Sequence, residues 1–524
     1  MRKPGIYILV VFVLLILLSF NNGCSCSSVS EAPQAPAADI VNLAIPSDLT
    51  ASDPAMSSDV TSGQVLSKVF EKLVTLDDSL KIIPELAETF EVSADCTEFK
   101  FRLKSNVKFS DGVTVLNSKI VKDSFERVAN PKTISPRANL FDKVVGYDEF
   151  IAGKANTISG ITQPNDYEIS IKIKQPFAPF LYNLTMVSAS IAFLVNNQPI
   201  GSGPFVIASK SDGAKFILKK NPHYHNVQNV FIDEVIYKIV HDQMTQISEF
   251  ELGNIDILNL NTVNVNKFLT NNPDKFNIHK QPKLNIYYIA FNMGKNIFSD
   301  NLRKAMNHAI NKNEIINTLM KNTMVPARGP FPPALNAFDD SIADYKYDPA
   351  KAKELLAKEK PESLKFDLYY KSSTETEDLM QMIKEDLAKV GIIVTLKKME
   401  WAALKSEIAK GNLSCYYVNW SADFPDAHNF LIPLFHTKNV GAGGNRAFFS
   451  DAQMDQLMDK LEATSDMTEY KKLAQKIQQE IVNKAPWVFL WHEIEFAASH
   501  KYIEGYNIPK IYSTENFLGL KIKR

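Results

Sequence analysis

Cysteine is scarce: there are four in 524 residues, and two of them, Cys24 and Cys26, sit close together near the start. Only Cys96 and Cys415 remain for the body of the chain, which excludes a disulfide framework. Both read as ordinary small buried residues. An excess of one charge is missing too. Lysine and arginine number 58 against 59 aspartate and glutamate, a formal net charge of −1, so the basic footprint of a nucleic-acid binder is absent.

Chemical motifs are equally thin. No P-loop and no G-x-S-x-G elbow occurs. Gly441, Gly443 and Gly444 are not followed by the helix that a dinucleotide fingerprint requires, and read as a loop. His492-Glu493 lacks the second histidine of a metalloprotease helix. His223 and His225 have no carboxylate or cysteine cluster beside them, and read as a solvated loop pair rather than metal ligands. The sequence therefore offers no catalytic residue, no metal site and no cofactor site, and points away from an enzyme.

Long apolar runs are lacking except at the N-terminus. Arg2 and Lys3 precede an unbroken apolar run from Ile6 to Leu18. A membrane span needs roughly 20 such residues, so the run suits the core of a signal peptide. Gly23-Cys24 follows, a small residue before a cysteine as at a bacterial lipoprotein processing site, although Asn21 stands where an apolar residue is usual. Residues 1–23 are expected to be a signal peptide, Cys24 the lipidated N-terminus, and the Ser-, Ala- and Pro-rich residues 24–38 a flexible tether.

What is present is an alternation of strands and helices, hence α/β architecture. Strands are expected at Ile40 to Ile45, Glu98 to Leu103, Glu168 to Ile173, Tyr287 to Phe291, Leu364 to Tyr370, Ile392 to Leu396 and Trp487 to Trp491. Helices are expected at about 62–73, at 118–128 and at 300–320. Asp348-Pro349 opens another helix, and Thr374 with Glu377 has capping-box spacing. One stretch stands out: Asn419-Trp420-Ser421-Ala422-Asp423-Phe424-Pro425-Asp426, where a strand runs into a loop ahead of the apolar Phe430 to Phe435. From these residues alone, Asp423 either anchors a cationic ligand group or caps a turn or helix.

Several blocks in one order carry a resemblance. They are Asp53-Pro54; Val69-Phe70-Glu71-Lys72-Leu73; Pro84 to Ser93; Phe99 to Gly112; Gly201-Ser202-Gly203-Pro204-Phe205; Lys220-Asn221-Pro222-His223-Tyr224; Leu302 to Ile310; and Trp420 to Asp426. Together, behind a lipoprotein-like terminus, they resemble the extracytoplasmic solute-binding proteins of oligopeptide, dipeptide and nickel ABC importers over about residues 40–520. Departures are Cys96 in place of a turn glycine, Ser118-Lys119 in place of Glu-Asp, and Ala427 in place of a common proline.

The resemblance implies an α/β, two-lobed periplasmic-binding-protein fold with hinge strands and an extra domain inserted in the first lobe. The first lobe would comprise 39–70, 197–290 and 500–524, the extra domain 71–196, and the second lobe 291–499. It implies a peptide ligand whose α-ammonium pairs with Asp423. Backbone near Asn419 to Ser421 would pair with the peptide main chain, Trp420 would wall a pocket, and Val60 would contribute from the first lobe. Tyr288, Phe489 and Trp491 are further wall candidates, with core packing as their alternative. Arg446 is the one cation offered for the ligand's carboxylate. The partners implied are permease subunits and the membrane through the lipid anchor, with the protein acting as a monomer. A nickel chelate, haem or sugar ligand, or a role as peptide-signal receptor, are the alternatives; an enzyme or adhesin on the same scaffold is the more distant one.

Overall fold

The computed structural model describes residues 38–524, apart from 212, 263, 272–273, 361–363, 442–443 and 524. Cys24, the apolar run and the tether up to residue 37 lie outside the described residues, as does Gly443. No helix among the described residues is long and apolar enough to cross a membrane.

A twelve-stranded mixed sheet runs through the molecule. Its spine is Trp487–His500, a 14-residue strand. The C-terminal half pairs with Phe276–Pro282 and Ile257–Leu260, and the N-terminal half with Asn285–Phe291. The sequence pattern foresaw only Trp487 to Trp491, because the rest of the strand turns polar where it crosses between two cores. Beyond Ile257–Leu260 the order continues through Ile40–Ile45 to Glu234–Ile239. On the other side, Asn285–Phe291 leads to Cys415–Ser421, Lys365–Lys371 and Ile393–Met399. Each side has its own buried clusters, so two lobes share the long strand and the neighbouring Phe276–Pro282/Asn285–Phe291 segment. A separate four-stranded antiparallel sheet, with Glu98–Leu103 beside Glu168–Lys172, packs on the helix Ser118–Ala129 around a third core.

Three sequence expectations shift. The helix expected at 62–73 stops at Leu66; Val69, Phe70 and Leu73 are buried, but in the connection to the strand Val74–Leu76. The single helix at 300–320 is two, Asp300–Ala309 and Lys312–Thr318, split by Asn311, whose side chain caps the second. The helix Thr374–Lys389 is capped by Ser373, one residue before the expected Thr374. Two family departures acquire a physical reading. Cys96 has φ +52°, the left-handed region where glycine is at ease. Ala427 is the first residue of the helix Ala427–Phe435, a position that favours proline. Cys96 and Cys415 are both free and buried.

Candidate ligand-binding cleft

The cleft floor is built by alternation. Along a strand, every second side chain points to the same face. Register pairs Asn285 with Ser421 and Tyr287 with Asn419, so these four share one face. Tyr417 precedes them on that face, and Glu493 lies beside them on the long strand. Two hollows open along this floor. One, of about 210 Å³, is lined by Val60, Lys283, Asn285, Ser421, Glu495 and Tyr512. The other, of about 790 Å³, is lined by Tyr287, Lys371, Trp401, Tyr417, Asn419 and Glu493.

Polar groups on the floor hold each other. Glu493 accepts from Lys283 Nζ at 3.1 Å, Asn285 Nδ2 at 3.0 Å and the Tyr287 hydroxyl at 3.5 Å. Burial opposes a charge on Lys283, but the Glu495 and Glu493 carboxylates outweigh it and raise its pKa. Burial raises the Glu495 carboxyl in turn. Beneath the floor, the fully buried His492 donates from Nδ1 to the Asn285 carbonyl at 2.6 Å, while Nε2 has no partner among the described residues.

Burial pulls the His492 pKa from 6.5 down to about 4. A charged ring would carry a second N–H with nowhere to bond. The neutral ring's contribution to folding is thus complete above pH 6.5 and is lost as pH falls toward 4, at up to about 1.4 kcal/mol per unit. Urea unfolding of wild type and His492→Gln across that window checks this. The variant should lose stability less steeply; equal slopes would contradict the assignment.

The strand Cys415–Ser421 pairs along its whole length with Asn285–Phe291. On its other side, the strand Lys365–Lys371 meets it only at Tyr369 and Tyr416. From Tyr417 onward no strand among the described residues covers that edge, and Arg446 Nη1 reaches the Asn419 carbonyl there at 3.2 Å. Arg446 thus lies at the strand, without lining either hollow.

Asp423 follows two residues after the strand. Helix capping falls to a different residue: Asp426 caps Ala427–Phe435, accepting from His428 N at 2.8 Å. The Asp423 carboxylate instead meets Arg137 Nη2 at 3.3 Å. Arg137 comes from the segment around the third core. Next to Asp423, Phe424 enters that core and stacks on Tyr182 at 5.8 Å. Tyr512, from the chain's last segment, joins the same corner: burial raises its pKa, Arg137 opposes the rise, and Asp423 and Asp59 add to it. Three separate parts of the chain therefore converge on Asp423.

The residues expected from sequence divide between the two faces. Ser421 and Val60 line the smaller hollow, and Val60 is 56% exposed at the first position of the helix Val60–Leu66. Asn419 lines the larger one. Trp420 and Tyr288 fall on the reverse face and pack with the core there, as does the buried Phe489; Tyr288 stacks on Trp487 at 3.6 Å. Trp491 is fully buried in the adjacent core. No sequence pattern marks Arg137, Tyr512, Lys283 or Glu493 as cleft residues. His225, expected in solvent, bonds with the buried Glu71 at 2.9 Å. Among the described residues, no group of three histidine, cysteine, aspartate or glutamate side chains could hold a metal ion.

A cleft between two α/β lobes that share crossing strands is the architecture of an extracytoplasmic binding protein. Residues 81–442 match the family of bacterial extracellular solute-binding proteins, family 5 (middle part). The chain belongs to that family, the substrate-binding components of ABC importers. It is 29% identical over 477 residues to a probable D,D-dipeptide-binding periplasmic protein of Escherichia coli K12, covering 87% of this chain and 88% of that one. It is 28% identical over 503 residues to haem-binding protein A of Haemophilus influenzae, covering 90% of each. An ABC-transporter-associated periplasmic binding protein of Helicobacter pylori, solved in complex with the peptide STSA, superposes with a TM-score of 0.76 at 25% identity, covering 93% of this chain and 98% of that one.

Proposed function

We propose that this protein captures oligopeptides by their free amino end in the cleft and delivers them to a membrane permease, acting as a monomer held to the extracytoplasmic face of the membrane by a lipid on Cys24. The observation that carries the reading is the open edge of Cys415–Ser421 leading directly to Asp423, with Val60 on the same cleft. An extended peptide can add to such an edge, its main chain supplying affinity common to all sequences. A carboxylate just past the end of the edge suits the α-ammonium. Relatives named for dipeptides, and a neighbour solved with STSA, support a peptide ligand; the haem-binding relative does not. The domains are proposed to divide at 70/71, 196/197, 290/291 and 499/500. Binding is proposed to draw the two lobes together about the shared strands.

Native mass spectrometry of protein purified from detergent-extracted membranes tests both halves. Co-purified peptides of mixed mass, on a chain that begins at an acylated Cys24, are expected. A porphyrin or metal-chelate mass would contradict the peptide reading, and an unprocessed N-terminus would contradict the anchor.

A further inference from the structure

We infer that Arg137 is a second recognition group, selecting ligands that carry a carboxylate close to the amino end; the inference rests on the peptide reading above. Arg137 and Asp423 form a pair unlike the structural one nearby. Arg127 grips Asp53 with two contacts, Nη1 at 2.6 Å and Nη2 at 2.9 Å, the bidentate geometry of a fixed ion pair. Arg137 reaches Asp423 through one contact at 3.3 Å, and both side chains keep access to solvent, at 26% and 37%. A guanidinium has five N–H donors in a planar fork matched to a carboxylate. Among the described residues, Asp423 is the only hydrogen-bonding partner of this one.

The consequence follows from exchange of partners. A ligand ammonium that takes Asp423 draws the carboxylate away from Arg137. If the ligand brings nothing else, the guanidinium loses its partner inside a filled cleft, which is costly. If the ligand carries a carboxylate beside its ammonium, one ion pair becomes two, and the fork can close bidentately. Two chemistries place the charges so: a γ-linked glutamyl head, with ammonium and carboxylate on one carbon, and an α-linked acidic first residue, with the carboxylate on the side chain. Neutral first residues offer the ammonium alone.

The test is calorimetry with three tripeptides, γ-Glu-Ala-Ala, α-Glu-Ala-Ala and Ala-Ala-Ala, on wild-type protein, Arg137→Gln and Arg137→Lys, with folding of each variant checked by its melting temperature. Wild type should bind at least one acidic ligand about tenfold or more tighter than Ala-Ala-Ala. Whichever isomer gains names the source of the carboxylate. Arg137→Gln should remove that advantage from both sides, weakening the acidic ligand and tightening Ala-Ala-Ala, which no longer strands a guanidinium, and Arg137→Lys should keep part of it. Equal binding of all three by wild type, or equal losses for all three in Arg137→Gln, would overturn the role of Arg137 while leaving the peptide reading standing. Failure of all three to bind would overturn both.

Discussion

Asp423→Asn is expected to weaken binding of free-amine peptides by about 2–5 kcal/mol, roughly thirtyfold or more, with little change in melting temperature. Three features set the size. The carboxylate does not cap the following helix, since Asp426 does. It stands at the end of an open strand edge and at the junction of three parts of the chain. A cleft occupied by peptide excludes water, so the charge pair is less screened than in the empty protein. The substitution preserves shape and the backbone bond from Asp423 N to Asn429 Oδ1 at 3.0 Å. Its cost should therefore appear in affinity, not in folding. Acetylating the peptide should cost wild type a similar amount, because Asp423 then faces an uncharged amide.

The second large effect is on stability. Lys68 is fully buried, with Nζ 2.6 Å from Glu515 Oε2, 2.7 Å from the Gln64 carbonyl and 4.3 Å from the centre of the Phe517 ring. Burial lowers its pKa and Glu515 pulls it back. Glu515→Leu would leave an ammonium in the core without its counter-ion, and should cost about 3–5 kcal/mol. Adding Lys68→Met should restore most of that loss, since an apolar pair of similar volume replaces a desolvated ion pair with little penalty. Denaturant unfolding of the single and double variants measures it. A double variant no more stable than Glu515→Leu alone would show that Glu515 acts through something other than Lys68.

The blocks that made the family legible mostly do structural work at one buried joint. Ser202 Oγ donates to Glu71 Oε2 at 2.8 Å, Lys72 N donates to Glu85 Oε2 at 2.7 Å, and Asn221 Nδ2 donates to the Gly203 carbonyl at 2.8 Å. A Cβ on Gly201 would stand 2.0 Å from the Val69 carbonyl oxygen, so only glycine fits there. Buried polar groups with fixed partners tolerate few alternatives, which is why such blocks are recognisable one by one. The site is different. Asp423 was readable because it ends a block, yet its competing role as a cap could be settled only by where the next helix starts. Arg137 lies in an irregular polar stretch and Tyr512 in the final segment, and neither sits in a pattern; packing over hundreds of residues brings them to Asp423. The family resemblance offers Tyr288 and Phe489 as wall residues with core packing as the alternative, and strand parity turns both to the reverse face. The break at Asn311 could have been seen: Asn311 and Glu314 have the spacing of a capping box, and Asn311 Nδ2 bonds back to Glu314 at 2.9 Å.

Calorimetry in a two-by-two design tests the central claim most directly: wild type and Asp423→Asn, each titrated with one tripeptide in its free-amine and N-acetylated forms. If Asp423 holds the α-ammonium, either change alone removes the same pair, so the double combination should cost far less than the sum of the two. Losses that simply add would contradict the account, and Asp423 would then have no share in holding the amino end.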